Sequence, residues 1–207
     1  GFLNNRASVK GGTDKGSEDF DLLELQATLN LADKANMDRK ALDAAMSYWN
    51  LGEKKYLSAG SDQHDATSGL YPGLIRQYAY ISEKVSTDAY LKALKAGNSY
   101  VTMGPFFVPS EASRFGTTQA VAAGGTYTLA VDLQAINGLT RVDVYSEGKV
   151  ISTKELANTT DVVNFKLELK PEKDTWYSIV AVDGKSRYAV SNPIWIDVTE
   201  AVKPIRK

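Results

Sequence analysis

The chain has 207 residues, 43% of them hydrophobic and 24% charged, an ordinary globular composition with room for one large domain or two small ones. Its 24 basic and 25 acidic residues leave a net charge of −1. They are interspersed and form no basic stripe, which argues against nucleic-acid binding. No apolar run approaches the roughly 18 residues that cross a bilayer, and the absence of cysteine removes disulfides, thiolate metal sites and a cysteine nucleophile. His64 is the single histidine, so a mechanism that needs several imidazoles cannot be completed by this polypeptide alone.

Residues 1–19 are rich in Gly, Asn, Lys and Ser, lack an apolar period and predict a flexible segment. The short apolar run from Phe20 to Thr28 predicts a strand. Leu42, Ala45, Met46 and Trp49 then fall on one face of a predicted helix, with Asn36 or Asp38 placed to cap it and Gly52 placed to end it. A second strand, Tyr56 to Ala59, runs into Gly60-Ser61-Asp62-Gln63-His64-Asp65. Ile75 to Ile81 predicts a third strand, and Thr87 to Ala96 a helix capped by Ser86 or Thr87 and stopped by Gly97. Residues 99–108 read as a strand broken at Gly104-Pro105.

The texture changes near Ser110. From Thr126 the helical spacing gives way to period two, as in Tyr127, Leu129, Val131 and Leu133, and again in Val163, Phe165, Leu167 and Leu169. Asn137-Gly138, Glu147-Gly148 and Asp183-Gly184 supply turns between these runs, a pattern that predicts an antiparallel Ig-like β-sandwich over 125–200. Residues 109–124 are expected to be a linker and 201–207 a tail. Trp176 and Trp195 sit within apolar runs and are expected in the core.

Asp62 and His64 are two apart. On an extended segment they point to one side, and a carboxylate converging with an imidazole suits a divalent metal. A surface turn with a solvated histidine gives the same spacing. Tyr71, Tyr78, Tyr80, Tyr127, Tyr145 and Tyr177 admit two uses, a carbohydrate-binding face or packing between sheets.

Several motifs stand in a particular order: Trp49-Asn50-Leu51-Gly52, then Gly60-Ser61-Asp62-Gln63-His64, then Arg76 with Tyr78, then Leu94-Lys95-Ala96-Gly97, then Val101-Thr102-Met103-Gly104-Pro105, and finally Asn192-Pro193-Ile194-Trp195. This ordered set, spanning about residues 20–198, resembles the end of a PHP-type metallohydrolase of the CehA/McbA-like branch. The resemblance implies an α+β chain in which 20–108 is the last part of a distorted β/α barrel. It also implies that Asp62 and His64 are the final ligands of a zinc, manganese or iron cluster. Glu24 would support that site, Asp65 would orient His64, and Arg76 would hold an anionic group of a small-molecule substrate.

The upstream His-x-His motif of that family is absent from the chain. The expectation is therefore a fragment of a metal-dependent hydrolase (of the phosphoesterase, esterase or amidohydrolase type) that binds metal weakly or not at all alone. Its partner would be the missing N-terminal part of the catalytic domain, and open strand edges would favour self-association. The competing expectation is a non-catalytic module that binds a glycan or a protein on a degenerate PHP-like scaffold. The sequence does not indicate a compartment.

Overall fold

The computed structural model describes residues 20–64, 67, 69 and 71–200. The expectations for 1–19, for Asp65 and for 201–207 lie outside the described residues. Strands account for 44% of the described residues and helix for 14%. This overturns the expected α+β class, because no β/α barrel is present even in part among the described residues. One β-α-β unit is the whole of the α/β character before the second helix.

That unit consists of β1 (Leu22–Leu25), α1 (Met37–Trp49) and β2 (Tyr56–Ala59). β1 and β2 pair in parallel, with Leu22 opposite Tyr56 and Leu25 opposite Ala59. A parallel pair needs a crossover, and α1 supplies it. Asn36 caps the helix, its side chain accepting from the Arg39 backbone N–H at 2.9 Å. Gly52, at φ +73, takes the left-handed turn that lets the chain double back towards β2.

The other elements build a sandwich. They are β3 (Arg76–Ala79), α2 (Thr87–Lys95), β4 (Ser99–Thr102), β5 (Phe106–Pro109), β6 (Thr118–Ala122), β7 (Tyr127–Gln134), β8 (Leu139–Ser146), β9 (Lys149–Thr159), β10 (Val163–Leu169), β11 (Thr175–Asp183), β12 (Tyr188–Ser191) and β13 (Ile194–Thr199). The large sheet runs β3-β4-β12-β11-β13-β6, with β8 and β9 joined through β11. A smaller sheet, β10-β7-β5, lies opposite.

The expected division at residues 109–124 does not separate these layers. β4 pairs with β12, and β5 pairs with β7, so strands from before residue 109 are woven into the sandwich. The stretch expected to be a linker holds a 3-10 turn, Glu111–Ser113, and β6, which pairs in parallel with β13.

Both faces of the large sheet are covered around β11 and β12. Tyr177, Ile179 and Ala181 of β11 face the small sheet and pack with Leu129, Leu133 and Phe165. Trp176 and Val180 alternate with them, facing the β-α-β unit and packing with Trp49, Met46 and Leu57. This explains why β11 is apolar almost throughout: period-two polarity belongs to sheets with one wet face. Leu23, Leu25 and Tyr56 are 3%, 0% and 2% exposed, so the apolar faces expected to drive self-association are buried within the chain.

Candidate functional site

Asp62 and His64 lie just past the C-terminal end of β2, and Glu24 lies on the neighbouring β1. The chain leaves β2 through Gly60, whose N–H donates to the Leu25 carbonyl. A methyl group at position 60 would sit 2.5 Å from the Glu24 carboxylate, so glycine there lets Glu24 lie across the turn. Gln26 Nε2 donates to Glu24 Oε1 at 3.3 Å.

Asp62 adopts φ +51, a left-handed conformation tolerated by aspartate better than by most side chains. The extended geometry expected from the two-residue spacing is therefore absent. The side chains converge by a different route, with His64 Nε2 2.8 Å from Asp62 Oδ1. The imidazole is 80% exposed and the carboxylate 43%.

At 2.8 Å the two atoms share a proton in a hydrogen bond, and they would have to lose it and part to roughly 3.0–3.4 Å to serve as adjacent ligands of one metal. Two donors are also too few, and among the described residues no group of three His, Asp or Glu side chains is placed to hold a metal. The donor set on its own does not fit a tightly held transition metal. Arg76, the expected anion holder, is exposed and donates through Nη2 to the Met103 carbonyl at 3.3 Å. The structure thus brings Asp62 and His64 together, places Glu24 against the same turn, and leaves Arg76 on β3 with a backbone partner.

The turn is held in place from below. Asn192, fully buried, accepts from the Leu57 N–H at 2.7 Å and donates to Ser99 Oγ at 3.0 Å. Gln77 Nε2 donates to the Leu57 carbonyl at 2.8 Å. These two side chains fasten the middle of β2 to the large sheet, 135 positions away in sequence in the case of Asn192. Sequence spacing carries no signal for such a bond.

A different site lies at the open edge between the two sheets. Tyr78 and Tyr80 on and just after β3 join Tyr100, Phe106, Phe107, Arg114 and Phe115 around a cleft of about 280 Å³. Tyr78 stacks on Tyr100 with centroids 5.4 Å apart and meets Phe106 edge-on at 5.1 Å. The Arg114 guanidinium lies 3.9 Å from the Tyr80 ring centre. Of the six tyrosines with two expected uses, Tyr127, Tyr145 and Tyr177 are buried in packing, whereas Tyr71, Tyr78 and Tyr80 are exposed. Arg114 falls in the stretch expected to be a linker, where no periodicity singles it out.

A further cleft, about 630 Å³, runs between the end of α1 and the starts of β11 and β13. Lys54, Asp197 and the Glu147–Lys173 ion pair line it, and Glu24, Asp62, His64 and Arg76 do not.

No protein-family profile matches the chain. No curated protein matches it either. Among solved structures it is similar to a fibronectin(III)-like module of Clostridium thermocellum CbhA at 18% identity, covering 46% of this chain and 99% of that one with a TM-score of 0.34. Titin M4 is similar at 17% identity, over 46% of this chain and 96% of that one, with a TM-score of 0.32. A superoxide reductase (neelaredoxin) from Ignicoccus hospitalis is similar at 13% identity, over 57% and 95%, with a TM-score of 0.32. Superpositions this loose carry no argument about function. No helix among the described residues is long and apolar enough to cross a membrane.

Proposed function

We propose that this chain is part of a metal-dependent hydrolase, inactive by itself, that supplies Asp62 and His64 to a metal site whose other ligands lie outside it. The observation that carries the reading is the convergence of these two side chains, 2.8 Å apart, past the C-terminal end of a parallel strand whose neighbour brings Glu24 to the same turn. Ends of parallel strands are where α/β units place their chemistry. The order of the motifs from Trp49 to Trp195 supports it as well. The second reading, a free-standing binding module, is favoured by the predominance of the sandwich and by its exposed aromatic cleft.

The test compares the 207-residue chain with the longest polypeptide encoded in frame around it. Calorimetry with zinc and manganese, and assays with chromogenic esters and phosphoesters, should show weak binding and no turnover for the chain alone. The longer polypeptide should bind metal tightly and turn over, and His64→Ala should remove most of that activity. Full hydrolysis by the 207 residues alone would falsify both readings, whereas a longer polypeptide whose rate ignores His64→Ala would overturn the first and leave the binding module.

A further inference from the structure

We infer that the cleft between β3 and β5 is a binding site for a small aromatic carboxylate. Its walls are the rings of Tyr78, Tyr80, Tyr100, Phe106 and Phe107, and among the described residues its lining contains one cation, Arg114, and no acidic side chain. Tyr78, Tyr80 and Phe106 are 40%, 48% and 42% exposed, which places three large rings at one opening in contact with water. An apolar ligand would recover that exposed surface.

Arg114 stands on the face of Tyr80 and takes part in none of the ion pairs formed among the described residues. Its planar fork of donors matches a carboxylate in a way that a lysine would not. Asn98 holds the backbone beside it, donating through Nδ2 to the Phe115 carbonyl at 2.8 Å, so the segment carrying Arg114 is fixed to the end of α2. The volume, about 280 Å³, is at the low end for ligand pockets and suits a single ring bearing a short acidic arm. The few polar groups in the wall favour an aromatic ring over a sugar, whose hydroxyls would each need a partner.

The experiment titrates phenylacetate into the chain by NMR, with benzyl alcohol, acetate and glucuronate as the other arms. A ligand of about ten non-hydrogen atoms should bind in the millimolar range or tighter. Phenylacetate should bind at least tenfold more tightly than each of the other three, with shifts concentrated at Tyr78, Tyr80, Phe106 and Arg114. Arg114→Gln should weaken phenylacetate about tenfold and leave benzyl alcohol unchanged, and Phe106→Ser should weaken both. Four results would overturn the proposal: no saturable binding of phenylacetate, equal affinity for glucuronate, shifts centred elsewhere, or indifference to Arg114→Gln in a variant whose spectrum shows the native fold. None of these readouts depends on metal or hydrolysis, so the proposal stands or falls apart from the reading of Asp62 and His64.

Discussion

The two cores on either side of the large sheet are assembled by different means. On one side, the small sheet closes a sandwich in which strands are long and every layer is tied by backbone ladders, β7 to β10 over seven residue pairs and β8 to β11 over six. On the other side, the β-α-β unit has one short ladder of four residue pairs, β1 to β2, and like the small sheet it shares none with the large sheet. It is held by packing of Trp49 against Trp176, edge-on at 5.1 Å, and by isolated side-chain bonds from Asn192, Gln77, Tyr188 and Trp176. Backbone ladders add cooperatively, whereas single side-chain bonds can be lost one at a time. The candidate metal-ligand turn therefore rides on the layer that opens more easily.

Trp176→Ala should have the largest effect, about 3–5 kcal/mol, through loss of a fully buried ring and of its bond to Asn50 Oδ1. Hydrogen exchange should then show α1, β1 and β2 losing protection before β7, β8 and β10. Leu129→Ala, in the sandwich core, should instead lower protection throughout. Equal loss in both layers for both variants would erase the distinction drawn above.

Asn192→Ala is next, at about 1–3 kcal/mol, because it leaves the buried Leu57 N–H without an acceptor. Denaturant melts should read the total loss. The sharper readout is the set of NMR resonances from Gly60 to His64, which should broaden if Asn192 positions that turn. A turn that stays sharp while stability falls would show that the bond serves packing alone.

The third expectation is alkaline. Burial pushes the Tyr100 hydroxyl in one core and the Tyr188 hydroxyl beside the other well above the ordinary value of 10.0, and Asp38 raises Tyr188 further. Above about pH 10 the unfolded chain releases both protons while the folded chain keeps them, so stability present below that pH is lost as pH rises. The slope should approach about 1.4 kcal/mol per pH unit for each tyrosine. Tyr188→Phe should flatten the slope and loosen the β-α-β unit, since the hydroxyl donates to the Gln26 carbonyl at 2.6 Å. An unchanged slope in that variant would place the titration elsewhere.

Much of the local structure is legible in the sequence. The caps at Asn36 and Ser86, the stops at Gly52 and Gly97, the strand Tyr56–Ala59 and the hairpin turns all follow from residue types that satisfy or bend their own neighbouring backbone. Such signals act within a few residues, so they survive any tertiary arrangement. The sandwich was also readable, because β7 and β10 each keep one wet face and alternate accordingly.

The tertiary structure alone decided how the pieces are shared between layers. β4 is buried on both faces, and its short run of Ser, Tyr, Val and Thr is equally compatible with a barrel strand or a sandwich strand. Its partner, β12, lies about ninety residues away, and no local preference encodes that pairing. The same holds for the candidate sites. Adjacency in sequence placed Asp62 near His64, whereas the anchoring of β2 by Asn192 and the meeting of Arg114 with Tyr80 depend on strands brought together from distant parts of the chain. Local chemistry writes turns and caps into the sequence, but long-range pairing is set by which buried faces can cover one another.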